Sequence, residues 1–154
     1  MLNRCNNRKK TGQKKKIDDF QKRCRDTGLK VTTQRLAVYK ALIETAEHPS
    51  AETVFRRVKQ IFPTISLDTV NRTLRTLSEI DSAFIVEGSG EARRFDGNLH
   101  PHQHFKCVRC KRIVDFYHQP FDNVEVPLNI RRKFKVLRKT VYLEGICDSC
   151  REKN

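Results

Sequence analysis

Apolar positions in the first half of the chain recur at helical intervals, and those intervals predict where each helix starts and stops. Ile17, Phe20, Gln21 and Cys24 sit at helical spacing and Gly28 can end the turn that follows, so residues 17–27 read as a first helix. A second begins with Thr32 or Thr33 as its N-cap and sets Leu36, Tyr39, Leu42 and Ile43 on one face. A third follows His48-Pro49 with Ser50 as cap, buries Val54, Val58 and Ile61, and is closed by Pro63. A fourth opens at Ser66 and carries Val70, Leu74, Leu77 and Ile80 at spacings of four, three and three. Beyond it, Phe84-Ile85-Val86, Gly88-Ser89-Gly90 and Arg93-Arg94-Phe95 read as a short hairpin. Three helices, a fourth of recognition type and a β wing predict a winged helix-turn-helix.

The polar face of the fourth helix carries candidate chemistry. Thr69, Arg72, Thr73, Arg75 and Thr76 place hydroxyl and guanidinium groups there, the side chains that reach phosphates and base edges in a major groove. Any small helical bundle also turns a polar face to water, so this face alone leaves DNA binding and plain solvation both open.

From Asp96 the pattern changes. His100, His102 and His104 alternate with Pro101 and Gln103, and on a strand of period two all three point to one side. Imidazoles in that register, preceded by Asp96 and followed by Asp115, can bind a transition metal. Residues 112–117 supply a further strand, as do Phe134, Val136, Leu137, Val141, Tyr142 and Leu143. The segment 121–133 between them reads as a weak helix, because Pro127 interrupts it. The expected fold class is α+β: a winged-helix domain with its hinge over 17–96 and a small α/β domain over 97–154, after a basic tail over 1–16.

Composition sets outer bounds. A chain of 154 residues suits one domain or two small ones, and excludes a large enzyme on a deep doubly wound sheet. Lys and Arg number 32 against 18 Asp and Glu, a formal net charge of +14, and residues 1–16 hold seven basic residues and no acidic one. A like-charged run of that kind cannot bury apolar surface, so it is expected to be disordered, either a solubilising arm or one that touches nucleic acid. Clustered Lys and Arg make a polyanion the leading partner class. No apolar stretch approaches the roughly 20 residues of a transmembrane helix, and the basic N-terminus lacks the apolar core of a secretory signal. A cytoplasmic protein with no membrane partner is expected.

Six cysteines stand at 5, 24, 107, 110, 147 and 150, and the last four form two Cys-x-x-Cys pairs with 36 residues between them. In a reducing compartment this is metal-ligand spacing. Each pair makes a knuckle whose thiolates face one ion, and two knuckles complete a tetrahedral sulfur shell suited to zinc. With Cys107, Cys110, Cys147 and Cys150 filling every position, the site is structural. Cys5 and Cys24 lack partners at ligand spacing and read as free thiols.

The run His102-Gln-His104-Phe-Lys-Cys107-Val-Arg-Cys110-Lys-Arg-Ile-Val-Asp115-Phe116, with Cys147-Asp-Ser-Cys150, resembles the ferric uptake regulator (Fur) family of bacterial metal-dependent repressors. The likeness extends to Thr33-Gln34-Arg35, His48-Pro49-Ser50-Ala51 and Ser66-x-x-Thr69-Val70-x-Arg72-x-Leu74. It implies an N-terminal winged helix joined to a C-terminal α/β dimerisation domain, a homodimer on double-stranded operator DNA, and no small organic ligand. It also implies a regulatory site for Fe(II) or Mn(II) made of His48, Asp96, His102, His104 and Asp115, alongside the structural zinc. Asp115 is similar to the peroxide-responsive branch, where the iron-sensing branch more often has Glu. In that branch bound Fe(II) reacts with hydrogen peroxide, a nearby histidine is oxidised, and metal and DNA are released.

The sequence also departs from the family pattern. Asn71 stands in the fourth helix where Tyr is common, replacing an apolar contact to thymine methyls with a side chain that can pair with adenine. The DNA-contacting set implied is thus Thr69, Asn71, Arg72, Thr73 and Arg75. A Gly usual between that helix and the wing is missing around Asp81-Ser82-Ala83. Pro101 and Gln103 stand where other members place extra ligands, and His100 and His118 are spare imidazoles. Two other classes compete: a metal enzyme using His102, His104 and a carboxylate, for which no catalytic motif is present, and a zinc-ribbon module binding RNA or protein, which needs no second metal.

Overall fold

The computed structural model describes residues 3–45, 47–86 and 92–153, with side chains from residue 12 onward. It comprises two compact units, Met1–Leu99 and His100–Asn154.

The first unit holds α1 (Asn3–Asp26), α2 (Thr33–Ile43), α3 (Ala51–Lys59), α4 (Leu67–Glu79), β1 (Phe84–Val86) and β2 (Arg94–Asp96). Three helices begin on hydroxyl caps. Thr32, Ser50 and Ser66 each accept the N–H of the residue three further on, at 3.2, 3.3 and 3.1 Å, and each such cap contributes about 1 kcal/mol. Phe20, Cys24, Val38, Tyr39, Leu42, Val54, Val58, Val70, Leu74 and Leu77 form one core between the helices. Gly28, at φ +69, ends α1 while Leu29 N–H returns to the carbonyl of Cys24 and Gly28 N–H to that of Arg25. This closing motif favours glycine because only its left-handed backbone is free of Cβ strain. The same motif ends α4, with Ser82 N–H on Leu77 and Asp81 N–H on Ser78. There Asp81 adopts φ +54 in the place of the missing glycine.

Three expectations are corrected here. Residues 3–16 belong to α1 rather than to a disordered tail. Lys, Arg and Gln favour helix, and once Phe20 has stacked on Tyr39 with ring centroids 4.3 Å apart, each further residue extends the helix without a new nucleation cost. Ile61 is 69% exposed, because α3 ends at Lys59 and its buried stripe ends with Val58. Thr73 is buried rather than outward-facing. Positions 70, 73, 74 and 77 lie three and four apart, so Thr73 falls within the apolar stripe. The wing strands β1 and β2 pair antiparallel, with Ile85 opposite Phe95. The turn expected at Gly88-Ser89-Gly90 lies outside the described residues.

The second unit holds β3 (Gln103–Cys107), β4 (Ile113–Phe116), α5 (Gln119–Asp122), α6 (Leu128–Lys133), β5 (Tyr142–Gly145) and α7 (Asp148–Arg151). Its sheet has the order β4-β3-β5, with β4 antiparallel and β5 parallel to the central strand. The weak helix expected over 121–133 is two short ones, with Pro127 as the cap of the second. Of the strand expected over 134–143, only the end pairs, as part of β5; Phe134 and Leu137 are exposed. The strand expected to carry three histidines begins only at Gln103, since Pro101 has no N–H for the ladder, so His100 and His102 lie outside it and His104 alone is on it. Among the described residues of this unit the buried apolar side chains are Cys107, Ile113 and Cys147 alone, which leaves little core to hold it together. No described helix in either unit is long and apolar enough to cross a membrane.

Candidate metal centres and recognition helix

Cys107 ends β3, Cys110 follows in a turn, and Cys147 and Cys150 flank the start of α7. Each supplies a sulfur within 4.8 Å of the other three. Lys111, at φ +62, closes the first knuckle by donating its N–H to the carbonyl of Cys107 at 2.9 Å. Cys110 Sγ and Cys147 Sγ are 3.7 Å apart. Two sulfurs each about 2.3 Å from a tetrahedral zinc stand about 3.8 Å apart, so the spacing fits the ion. The Cys147 N–H donates to Cys107 Sγ at 3.4 Å. That N–H and the one of Cys110 hold the Cys107 thiol down to about 6, which favours the thiolate a metal needs. Cys150 is pushed up to about 12, first by its hydrogen bond with Cys147, since a fourth negative sulfur among the others is costly without a cation.

In the same unit β3 and β4 place His104 opposite Asp115 in register. His102 and His104 bring their Nε2 atoms to 3.0 Å, and each lies 3.5 Å from Asp115 Oδ1. His102 Nδ1 is 2.7 Å from the carbonyl of His100. A ring that donates there carries its lone pair on Nε2, facing the cluster, so His100 contributes through its backbone. Two nitrogens about 2.1 Å from one ion and at right angles to each other stand about 3.0 Å apart, which is the separation found.

In the first unit the segment before α3 is bound to the wing. Phe95 N–H donates to the carbonyl of Pro49 at 3.1 Å and Arg94 Nη1 to that of His48 at 3.5 Å. These bonds set His48 Nε2 3.9 Å from Asp96 Oδ2, while Asp96 Oδ1 accepts the N–H of Asn98 at 2.7 Å. Both residues are buried. Gly97 follows because a Cβ there would meet Ile43 Cγ2 at 2.9 Å.

On α4, Asn71, Arg72 and Arg75 are exposed on one face, and Thr69 is half-buried with its hydroxyl 2.9 Å from that of Ser66. Arg72 lies 3.7 Å from Asp68 in an exposed pair of little energetic weight. Thr73 does not join this face.

Sequence reasoning passed over a brace beside the histidines. Gln103 is 3% exposed, donates to Asp122 Oδ1 at 2.6 Å and accepts the N–H of His118 at 2.8 Å. Lys139 Nζ donates to the carbonyls of Asp122 and Val124 at 3.1 and 2.7 Å. The brace fixes α5 against the start of β3, through the residue that lies between His102 and His104. Its one legible signal was an uncharged amide alternating with His102 and His104. His118 contributes its backbone here, and its ring packs edge-on against Phe121.

A sequence model of the ferric uptake regulator family matches residues 26–144. The peroxide-responsive repressor PerR of Staphylococcus epidermidis is 32% identical over 128 residues, covering 83% of this chain and 85% of the relative. The Helicobacter pylori ferric uptake regulator Fur superposes with a TM-score of 0.73 at 21% identity, covering 90% of this chain and 93% of that one, a likeness of fold. The Campylobacter jejuni peroxide stress regulator superposes with a TM-score of 0.61 at 26% identity, covering 76% and 88%.

Proposed function

The chain belongs to the ferric uptake regulator family, and from that membership we propose that it acts as a homodimeric, metal-dependent transcriptional repressor on double-stranded operator DNA, tuned to hydrogen peroxide. The observation that carries the reading is the presence of two chemically distinct donor sets, one of four sulfurs and one of imidazole and carboxylate. Thiolates select zinc, whereas nitrogen and oxygen donors accept Fe(II), Mn(II) or Zn(II).

In this reading zinc is structural at Cys107, Cys110, Cys147 and Cys150. The regulatory ion takes His48 and Asp96 from the first unit and His102, His104 and Asp115 from the second. A ligand that needs both sets favours the one arrangement in which both reach it, so it selects a fixed angle between the units and sets the paired recognition helices at DNA spacing. The exposed Asn71, Arg72 and Arg75 support α4 as the reading element. Exposed Val136, Leu137 and Leu143 on a unit with so small a core support a second copy as their cover.

Fe(II) held by these residues would supply the redox chemistry through which peroxide oxidises a neighbouring ligand imidazole. One imidazole carbon would have its C–H replaced by C–OH, the ring itself giving up the two electrons that reduce the peroxide and water being the second product, and the altered ring would be a poorer donor. The relatives named as peroxide-responsive repressors support this branch, as does Asp115, whose short carboxylate leaves the coordination more open.

The test is mass spectrometry of zinc-loaded protein after brief peroxide exposure, with Fe(II) or Mn(II) added, alongside duplex binding. One oxygen gained on a peptide containing His48, His102 or His104, with Fe(II) only and with loss of DNA binding, is expected. No histidine oxidation with either metal moves the protein to a metal sensor of the same fold.

A further inference from the structure

We propose that the N-terminal part of α1 is a second, sequence-independent DNA contact, a basic rod that grips phosphates apart from the recognition helix. The inference rests on the repressor reading above and adds to it a surface that the family match, which begins at residue 26, does not include.

The direction of α1 follows from its contacts within the first unit. Arg23 donates to the carbonyl of Asp81, the Phe20 ring stacks on Tyr39, and the Tyr39 hydroxyl donates to the carbonyl of Lys16 at 3.0 Å. Gln13 Nε2 then donates to Glu44 Oε1 at 2.8 Å, and Glu44 is the C-cap of α2. The helix therefore runs back along α2 and passes its end at Gln13. Residues 3–12 carry it onward by about 15 Å at 1.5 Å per residue.

What this extension can bind is set by its composition. Residues 1–16 hold seven basic residues and no acidic one, and between residues 3 and 16 Cys5 is the sole apolar side chain. A helix without an apolar stripe has nothing to lay into a protein groove or a lipid surface, because both modes draw on buried apolar area. Lys14 and Lys15 are exposed. Phosphate neutralisation with counterion release is the interaction left to such a helix, and it needs no base contact. The duplex held by α4 of the same unit is the polyanion nearest to hand, so the arm acts on DNA already engaged or slides along non-operator DNA.

The experiment measures binding of metal-loaded full-length protein to a short duplex of random sequence, by fluorescence anisotropy across about 50 to 200 mM salt. The variant carries Lys9→Gln, Lys10→Gln, Lys14→Gln and Lys15→Gln, which remove charge while keeping good helix formers. A second variant, lacking residues 2–12, covers the case in which the first misfolds. Zinc content and far-ultraviolet circular dichroism check both.

Each phosphate contact removed flattens the salt slope by about 0.9, so the quadruple variant is expected to lose roughly 3 to 4 of slope for each arm of the dimer that engages the duplex, a roughly hundredfold smaller affinity change across that salt range per arm. An unchanged slope in folded variants, with wild-type binding still metal-dependent, makes the segment a solubiliser and overturns this inference alone. Retention on phosphatidylserine vesicles stronger than on the duplex at equal salt also overturns it. A full-length protein that ignores duplex DNA at every metal loading overturns the repressor reading with it.

Discussion

At the residue scale, Tyr39 joins local packing to a measurable pH response. Its ring is buried against Phe20 and its hydroxyl reaches the backbone of Lys16. Burial, ahead of any charge, pushes its phenol up to about 12 from an ordinary value near 10. The folded state thus holds the proton more tightly than the unfolded one. Its contribution is complete below about pH 10 and is lost as pH rises towards about 12. Tyr39→Phe is expected to flatten the fall in urea midpoint between about pH 9 and about pH 11.5, and an equally steep fall in the variant would place the alkaline response elsewhere. Residue-scale features were legible where a short rule governs them. Ser50 and Ser66 were readable as caps because a hydroxyl before an apolar-periodic segment satisfies a helix end whatever the rest of the fold does. The burial of Thr73 was less legible, because its hydroxyl suits an outer face while its position three after Val70 places it in the buried stripe.

Elements show the same contrast. The stripe of α4 follows from period alone, so its faces can be tested separately. Thr73→Arg is expected to cost about 1–3 kcal/mol from overpacking, whereas Arg75→Gln should leave stability within about 0.5 kcal/mol and weaken duplex binding. Paired unfolding and binding curves check both, and a stable Thr73→Arg protein with reduced DNA binding would return that residue to the outer face. The start of α1 was not legible because charge repulsion and helix propensity oppose each other over residues 3–16, and docking of Phe20 and Cys24 further along decides between them. Nor was the single short pairing of β5, since Val136 and Leu137 have strand-like character but find no strand partner among the described residues.

For the whole molecule, two units with different sources of stability should fail separately. The first has a continuous core of its own, whereas the second buries three apolar side chains among its described residues, two of them members of the four-cysteine cluster. Structural zinc of this kind contributes roughly 10 to 16 kcal/mol of apparent free energy. A strong chelator, or Cys147→Ser, is expected to open the second unit to proteolysis while a fragment ending near Leu99 survives; uniform digestion would show one cooperative structure. The cluster was readable from spacing because two Cys-x-x-Cys pairs need no knowledge of the fold between them, while the brace of Gln103, Asp122 and Lys139 depends on three segments that meet only once folded. The knuckles also stand near the two ends of the second unit, so a zinc ion held by all four cysteines would clasp the 36 intervening residues into a closed loop. On the proposed zinc assignment, that clasp would link the lifetime of the protein to zinc supply. A copy made during zinc shortage would leave its second half open to cellular proteases, so the number of surviving molecules would report zinc ahead of any proposed response to iron, manganese or peroxide.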